Sequence, residues 1–200
     1  MWWLMLLGCG DPAPATQMPS RVDAVKAVPK VVDLEAFCDQ RPDPTIPLVL
    51  PPLDGPGPAD PSGWRWVNVW ATWCGPCVAE MPMLAAWRDQ LVQSGVDVEL
   101  LFLSVDDAAQ KVARFVAQHP VARGGVRISD IAQLEPWLPK VGLDAGVVLP
   151  VNLFADPRGQ IRCIRTGAVA DHDLAAVKAV LAQPLCDDKG LAVPGVPCSQ

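Results

Sequence analysis

The feature that most constrains the fold is the motif Cys-Gly-Pro-Cys at residues 74–77, which lies between an apolar run and a helical pattern. The run at residues 66–71 is typical of a buried strand, and Pro76 suits the first turn of a helix, where its missing N–H would have no helical partner. Free N–H groups and the positive end of the helix dipole would then favour the Cys74 thiolate. A Cys-x-x-Cys pair can also be half of a zinc site. At a strand-to-helix junction it predicts thiol–disulfide exchange, in which Cys74 attacks a disulfide and Cys77 resolves the mixed disulfide.

Composition places the chain among globular proteins. Half of its 200 residues are hydrophobic and only 19% are charged, which excludes a disordered chain and leaves enough residues for one domain with a real core. The formal net charge of −6 gives no basic surface for nucleic acid. No apolar run reaches the ~20 residues that a transmembrane helix requires.

Hydrophobic periodicity predicts alternating strands and helices along most of the chain. Strands are expected at residues 46–50, 66–71, 96–105, 151–155 and 160–165, and helices at 31–38, 77–93, 134–141 and 171–182. Another helix is expected to end near Gln118 and to have Asp106 or Asp107 as its N-cap. A type I turn at residues 156–159 joins the last two strands into a hairpin. This order of elements predicts an α/β fold.

The residues around the motif extend this prediction to a family. Residues 67–82 read VNVWATWCGPCVAEMP, and this block resembles the active site of thioredoxin-like proteins, most closely those of the bacterial extracytoplasmic TlpA/ResA branch. Asn68 stands where thioredoxins proper carry a buried Asp, and Asn there is typical of the TlpA-like group. The resemblance covers roughly residues 46–183. It implies a thioredoxin fold with a central mixed sheet flanked by helices, here preceded by a Pro-rich extension. The Gly/Pro-rich residues 55–61 predict that the family's opening β-hairpin is abbreviated.

The same resemblance implies further site residues. Pro150 stands where the family has a cis-proline that faces the disulfide, with the backbone of Leu149 free to pair with a substrate; the alternative is a trans-proline at the start of a strand. Trp73 and Gly75 belong to the active-site surface, and Trp70 is expected to be plain core. Glu80 either complements the helix dipole or transfers a proton to Cys77, and the sequence leaves both readings open.

Seven cysteines indicate an oxidising compartment. Once Cys9 is assigned to lipid and the motif pair to catalysis, an even number remains for structural disulfides: Cys38, Cys163, Cys186 and Cys198. Three pairings are open. We favour Cys186 with Cys198, which would tie down a Gly/Pro-containing tail, and this leaves Cys38 with Cys163. The scattered spacing disfavours a zinc site, and no metal or cofactor is expected.

The N-terminal residues suggest attachment to a membrane. Residues 1–9 resemble the end of a bacterial lipoprotein signal whose lipobox is Leu6-Leu7-Gly8-Cys9, which leads to the hypothesis that the true start codon lies upstream. The alternative is a short hydrophobic terminus with an incidental cysteine. A Pro-rich tether is predicted at residues 10–30, the domain at 31–185 and a tail at 186–200.

These observations favour a lipid-anchored, periplasm-facing oxidoreductase of the bacterial cell envelope. Gly-Pro between the cysteines is the thioredoxin dipeptide, which favours reduction of substrate disulfides. The resemblance implies protein dithiol or disulfide substrates, apocytochrome c among them, and a membrane electron donor of the CcdA/DsbD type. The alternatives are a disulfide-forming oxidant of the same fold and a tethered, non-catalytic binding module.

Overall fold

The computed structural model describes residues 32–43 and 45–184. The predictions for Cys9, Cys186 and Cys198, and those for the signal, the tether and the tail, lie outside the described residues.

A mixed six-stranded sheet forms the centre of the domain. Its strands are β1 (Ile46–Pro47), β2 (Trp64–Trp70), β3 (Val98–Ser104), β4 (Val126–Arg127), β5 (Val151–Ala155) and β6 (Gln160–Thr166), arranged in the order β1-β6-β5-β2-β3-β4. The β2/β3 and β3/β4 pairs are parallel and the others antiparallel. Every residue of β2 is buried, since neighbouring strands flank it on both sides and helices cover the sheet. The predicted thioredoxin-like fold with a mixed sheet is confirmed.

In the part of the chain that the structure describes, five α-helices accompany the sheet: α1 (Leu34–Phe37), α2 (Gly75–Gln93), α3 (Ala109–Gln118), α4 (Leu134–Trp137) and α5 (Leu174–Leu181). Single 3₁₀ turns at Ile131–Gln133 and Leu138–Val141 flank α4, and a third at Asp171–Asp173 leads into α5. The long helix α2 follows β2 directly and buries Met81, Leu84 and Leu91 against the sheet. Its first turn is therefore fixed at the end of the central strand.

The predicted N-cap of α3 is wrong. The helix starts after Ala108, and no side chain among the described residues caps it. Asp106 is fully buried, and its carboxylate accepts a hydrogen bond from Thr72. The chain continues past the end of β3 before the helix begins, and this places the carboxylate beside the β2–α2 connection. Asp107 is exposed and forms an ion pair with Lys111, four residues away, at 2.7 Å.

The segment before β2 contributes little to the sheet. In its described part it adds the two-residue strand β1, which pairs with β6, and isolated bridges from Gln40 to Ile164 and from Leu53 to Ile128. This matches the abbreviated hairpin predicted from the Gly/Pro-rich residues.

A disulfide joins Cys38 at the end of α1 to Cys163 in the middle of β6. Both sulfur-bearing residues are buried in the hydrophobic core, with Cys163 fully inaccessible. The predicted pairing of these two cysteines is confirmed, and it fastens the N-terminal segment to the sheet.

Within the described ranges, no helix combines the length and the apolar character needed to cross a membrane.

Candidate active site

The Cys-Gly-Pro-Cys motif lies where β2 ends and α2 begins. The Cys74 N–H donates to the Ala71 carbonyl at 3.0 Å, which closes a turn between the two elements. Cys74 is the N-cap of α2, and its sulfur accepts a hydrogen bond from the Cys77 N–H at 3.3 Å. Cys74 and Cys77 are joined by a disulfide. The sequence prediction of a cysteine pair at the N-terminus of a helix is therefore correct in its geometry.

The two sulfurs differ in their access to solvent. Cys74 is 6% exposed and Cys77 is fully buried. Gly75 and Pro76 are exposed beside them, and Trp73 is 67% exposed. A disulfide partner approaching from solvent can therefore reach Cys74 but not Cys77.

Pro150 lies beside the motif, immediately before β5. Its peptide bond with Leu149 is cis, as the resemblance implied. Val151 pairs with Val69 near the end of β2, which brings the cis-proline level with the strand end that leads to Cys74. The Pro150 carbonyl accepts a hydrogen bond from the Gly167 N–H at 2.8 Å, so this backbone is fixed by the loop after β6.

An apolar groove of about 210 Å³ is lined by Trp73, the residue that precedes Cys74. Its walls include Trp73 from the motif, Leu149 beside the cis-proline, and Ile131 and Leu134 from the α4 region, with Glu135 as the charged residue in the lining. Pockets for drug-sized ligands typically enclose roughly 300–1,000 Å³. The groove is therefore better matched to a single apolar side chain of a polypeptide.

A buried polar cluster lies beneath the motif. Asn68 of β2 donates through Nδ2 to Glu80 Oε1 at 2.8 Å and to Asn152 Oδ1 at 3.0 Å. Asn152 Oδ1 also accepts from Trp66 Nε1 at 2.8 Å. The second oxygen of Glu80 accepts from the Val169 N–H at 2.9 Å. The cluster thus connects β2, β5, α2 and the loop before α5 through one carboxyl group.

Burial raises the pKa of Glu80 above its ordinary value, and the hydrogen bonds from the Val169 N–H and the Asn68 amide partly oppose this increase. The side chain is only 4% exposed, whereas an acid that served the helix dipole alone would remain in solvent. Glu80 follows Cys77 by three residues on α2, a spacing that places Cβ atoms about 5–6 Å apart. A carboxyl group with a raised pKa at this distance is suited to exchange a proton with a cysteine.

Replacing Glu80 with Gln should change how stability depends on pH. The folded state holds the Glu80 proton more tightly than the unfolded chain, so its contribution is complete below the ordinary pKa of 4.5 and is lost as pH rises through the folded-state pKa. Each unit of increase in pKa corresponds to about 1.4 kcal/mol. Glu80→Gln should show no such loss, since an amide does not titrate in this range, while its oxygen can still accept from the Val169 N–H. Urea unfolding at a series of pH values from 4 to 8 measures the free energy of unfolding of both proteins. The same dependence on pH for the two proteins would contradict the prediction.

Sequence reasoning missed Asn152 and Trp66 as members of this cluster. Their contact depends on the register that places Asn152 opposite Asn68, which local sequence does not reveal. A signal was nevertheless present, since Asn152 is a polar residue inside the otherwise apolar strand β5.

Trp70 is core as predicted: it is 1% exposed and packs on Phe115 with ring centroids 4.9 Å apart. In the described ranges, no group of three or more His, Cys, Asp or Glu residues could hold a metal ion.

Comparison with known proteins agrees with this site. The Redoxin family model matches residues 63–135, which contain the motif and the buried acid. The thiol-disulfide oxidoreductase ResA of Oceanobacillus iheyensis is 28% identical over 109 residues, which are 52% of this chain and 49% of the ResA sequence. The chain therefore spans about half the length of this curated relative.

Two solved structures are also similar. A thioredoxin-related protein from Neisseria meningitidis serogroup B is 31% identical, with a TM-score of 0.50, over 60% of this chain and 86% of that one. The thioredoxin domain of a thiol-disulfide oxidoreductase from Bacteroides vulgatus has the same TM-score at 16% identity, over 60% of this chain and 80% of that one, and it supports the fold alone.

Proposed function

Because this chain belongs to the thioredoxin-like family in its TlpA/ResA branch, we propose that it is a thiol–disulfide oxidoreductase that reduces disulfides in proteins. The observation that carries the proposal is the arrangement of the two cysteines. Cys74 is the reachable sulfur at the N-terminus of α2, and Cys77 is buried one turn away and bonded to it.

Reduction of a substrate transfers two electrons in two exchanges. The Cys74 thiolate attacks one sulfur of the substrate disulfide, and the new Cys74–substrate bond forms as the substrate disulfide breaks and releases a first thiolate. Cys77 then loses its proton and attacks Cys74 Sγ. This step forms the Cys74–Cys77 disulfide and releases the second substrate thiolate. The substrate gains two electrons, and the protein is left in the oxidised state seen here.

Glu80 serves the second exchange in this mechanism. Its carboxylate takes the proton from Cys77, since no solvent reaches that sulfur. The raised pKa of Glu80 brings it closer to that of a thiol, which makes the transfer less unfavourable than it would be to an ordinary carboxylate. Asn68, an amide, holds the acid by its hydrogen bond and cannot act as a base.

The substrate would bind across the cis-proline and the apolar groove. The backbone of Leu149 would pair with an extended segment around the substrate cysteine, and a neighbouring apolar side chain would enter the groove beside Trp73. Leu149 belongs to both surfaces and Trp73 precedes Cys74 in the chain, so one bound segment could use both surfaces while its disulfide meets Cys74.

We further propose that the protein works outside the cytoplasm. The buried Cys38–Cys163 disulfide supports this, because such bonds rarely persist in the cytosol. In this proposal the chain is anchored by lipid at Cys9, receives electrons from a membrane donor of the CcdA/DsbD type and reduces periplasmic proteins, with apocytochrome c as one substrate class. Cys186 and Cys198 would form a second structural disulfide.

The reduction potential of the Cys74/Cys77 couple tests the direction of electron flow. Protein equilibrated in glutathione or dithiothreitol buffers would be alkylated and scored by mass spectrometry of the peptide that carries both cysteines. A potential near about −270 mV, that of thioredoxin, is expected for a reductant. A potential near about −120 mV, that of DsbA, would instead identify a disulfide-forming oxidant. Failure of the wild type to accelerate insulin reduction by dithiothreitol would favour a non-catalytic binding module.

A further inference from the structure

Asp106 is a buried carboxylate that the proposed exchange does not use. It follows β3 by two residues, and none of its surface is accessible to solvent. Burying a charged group is costly unless it is hydrogen-bonded, so its contacts indicate what it stabilises.

Three donors from the described residues contact the Asp106 side chain. Two of them belong to Thr72, whose N–H donates to Oδ2 at 2.9 Å and whose hydroxyl donates to Oδ1 at 2.6 Å. The third is the Ser104 hydroxyl, which donates to Oδ2 at 2.8 Å. From the other side, Arg127 of β4 donates to the Asp106 carbonyl at 3.1 Å and forms an ion pair with Asp54, which fixes the backbone of Asp106. Asp106 is therefore held by β3 and β4 and itself holds Thr72.

Thr72 is in the turn that presents the nucleophile. The turn runs from Ala71 to Cys74, and apart from the Asp106 contacts it is closed by the Cys74 N–H to Ala71 carbonyl bond. A hydrogen bond to a carboxylate is stronger than one between neutral groups, and two of them converge here on one residue. Their loss would free the turn that sets both Trp73 at the groove and Cys74 at the end of α2.

We propose that Asp106 is a positioning residue, which holds the turn through Thr72 so that Cys74 Sγ stays aligned with the N-terminus of α2. This inference rests on the proposed function and adds to it a residue that touches neither sulfur. Alignment matters because the Cys77 N–H and the helix dipole favour the Cys74 thiolate only while the sulfur stays at the N-cap.

The main test uses Thr72, since its variants leave the buried charge in place. Thr72→Val removes the hydroxyl donor and keeps the size of the side chain, whereas Thr72→Ser keeps both donors. In reduced protein, alkylation of Cys74 by iodoacetamide would be followed against pH by peptide mass spectrometry. Thr72→Val should raise the pH midpoint of Cys74 alkylation by about half a pH unit, the size expected for partial loss of a helix-terminus interaction. Thr72→Ser should match the wild type.

The second test uses two neighbouring carboxylates. Asp106→Asn should slow insulin reduction by about tenfold or more. The N–H₂ group of the new amide would face hydrogen-bond donors at a position where the carboxylate accepts hydrogen bonds, so the turn would lose its alignment. Asp107→Asn removes the same charge from the next residue, which pairs with Lys111, and should stay within twofold of the wild type. If Asp106→Asn fails to fold, the comparison of Thr72→Val with Thr72→Ser still tests the proposal.

A role in stability alone would lower the melting temperature of Thr72→Val and Asp106→Asn, with the Cys74 midpoint and the rate of the folded protein both unchanged. That result would overturn the proposal. Alkylation requires no turnover, so a wild type that cannot reduce insulin would contradict the proposed function without affecting the comparison of Thr72 variants.

Discussion

Replacement of Cys74 by Ser is expected to reduce the acceleration of insulin reduction to the rate of dithiothreitol alone. A serine hydroxyl is not ionised near neutral pH, and it can neither attack a disulfide nor form a mixed one. Cys77 cannot replace it, because this sulfur is fully buried beneath the first turn of α2. Turbidity of insulin with wild type and variant at equal concentration measures the effect.

Replacement of Cys77 by Ser is the matched control, since it removes the other sulfur of the same pair. This variant should also fail to turn over, but it should accumulate a mixed disulfide between Cys74 and the substrate. Excess dithiothreitol should cleave this bond by reduction. Non-reducing electrophoresis detects the complex. Equal trapping by Cys74→Ser and Cys77→Ser would show that the assigned order of attack is wrong.

Loss of the Cys38–Cys163 disulfide is expected to cost about 2–5 kcal/mol of unfolding free energy, toward the upper end of that range. The bond closes a loop with a sequence separation of 125, and in the chain-entropy view long loops restrict the unfolded state most. The double variant Cys38→Ala/Cys163→Ala, unfolded in urea beside the wild type, measures the difference. Its rate of insulin reduction should remain within twofold of the wild type where both are folded.

The contribution of this bond can be separated from that of the active-site pair. In a background in which Cys74, Cys77, Cys186 and Cys198 are all replaced by Ser, reduction of the protein can break only the Cys38–Cys163 bond. The oxidised and reduced forms of this background should differ in unfolding free energy by about as much as the double alanine variant differs from the wild type. A difference below roughly 1 kcal/mol would mean that packing around Cys38 and Cys163 holds the N-terminal segment without the bond.

Local sequence predicted the parts of the site that depend on chain-adjacent residues. The apolar run before Cys74, Pro76 in the first helical turn and a turn at residues 156–159 each have a short-range physical cause, and each is present. Pro150 was predicted as cis only through the family resemblance, since proline chemistry alone favours trans.

The remaining parts depend on contacts between distant segments. Asp106, like Asp107, was predicted as a possible N-cap because Asp is strongly preferred at the residue just before a helix. Its actual partner, Thr72, is 34 residues earlier in the chain, and only the parallel pairing of β2 with β3 brings the two together. Glu80 was recognised as a candidate, but neither the burial that raises its pKa nor the hydrogen bonds from Val169 and Asn68 that oppose the increase could be read from α2 alone.

The Cys38–Cys163 bond also determines how the domain bears mechanical load. A pull on the chain from the N-terminal side of Cys38 passes through the two sulfurs directly to the middle of β6, without extending the residues between them. Those residues include β2, α2 and both active-site cysteines. Tension between the two ends of the chain would therefore stretch only the segments outside this covalent loop. The exchange site can therefore remain folded while the two ends of the chain are pulled apart.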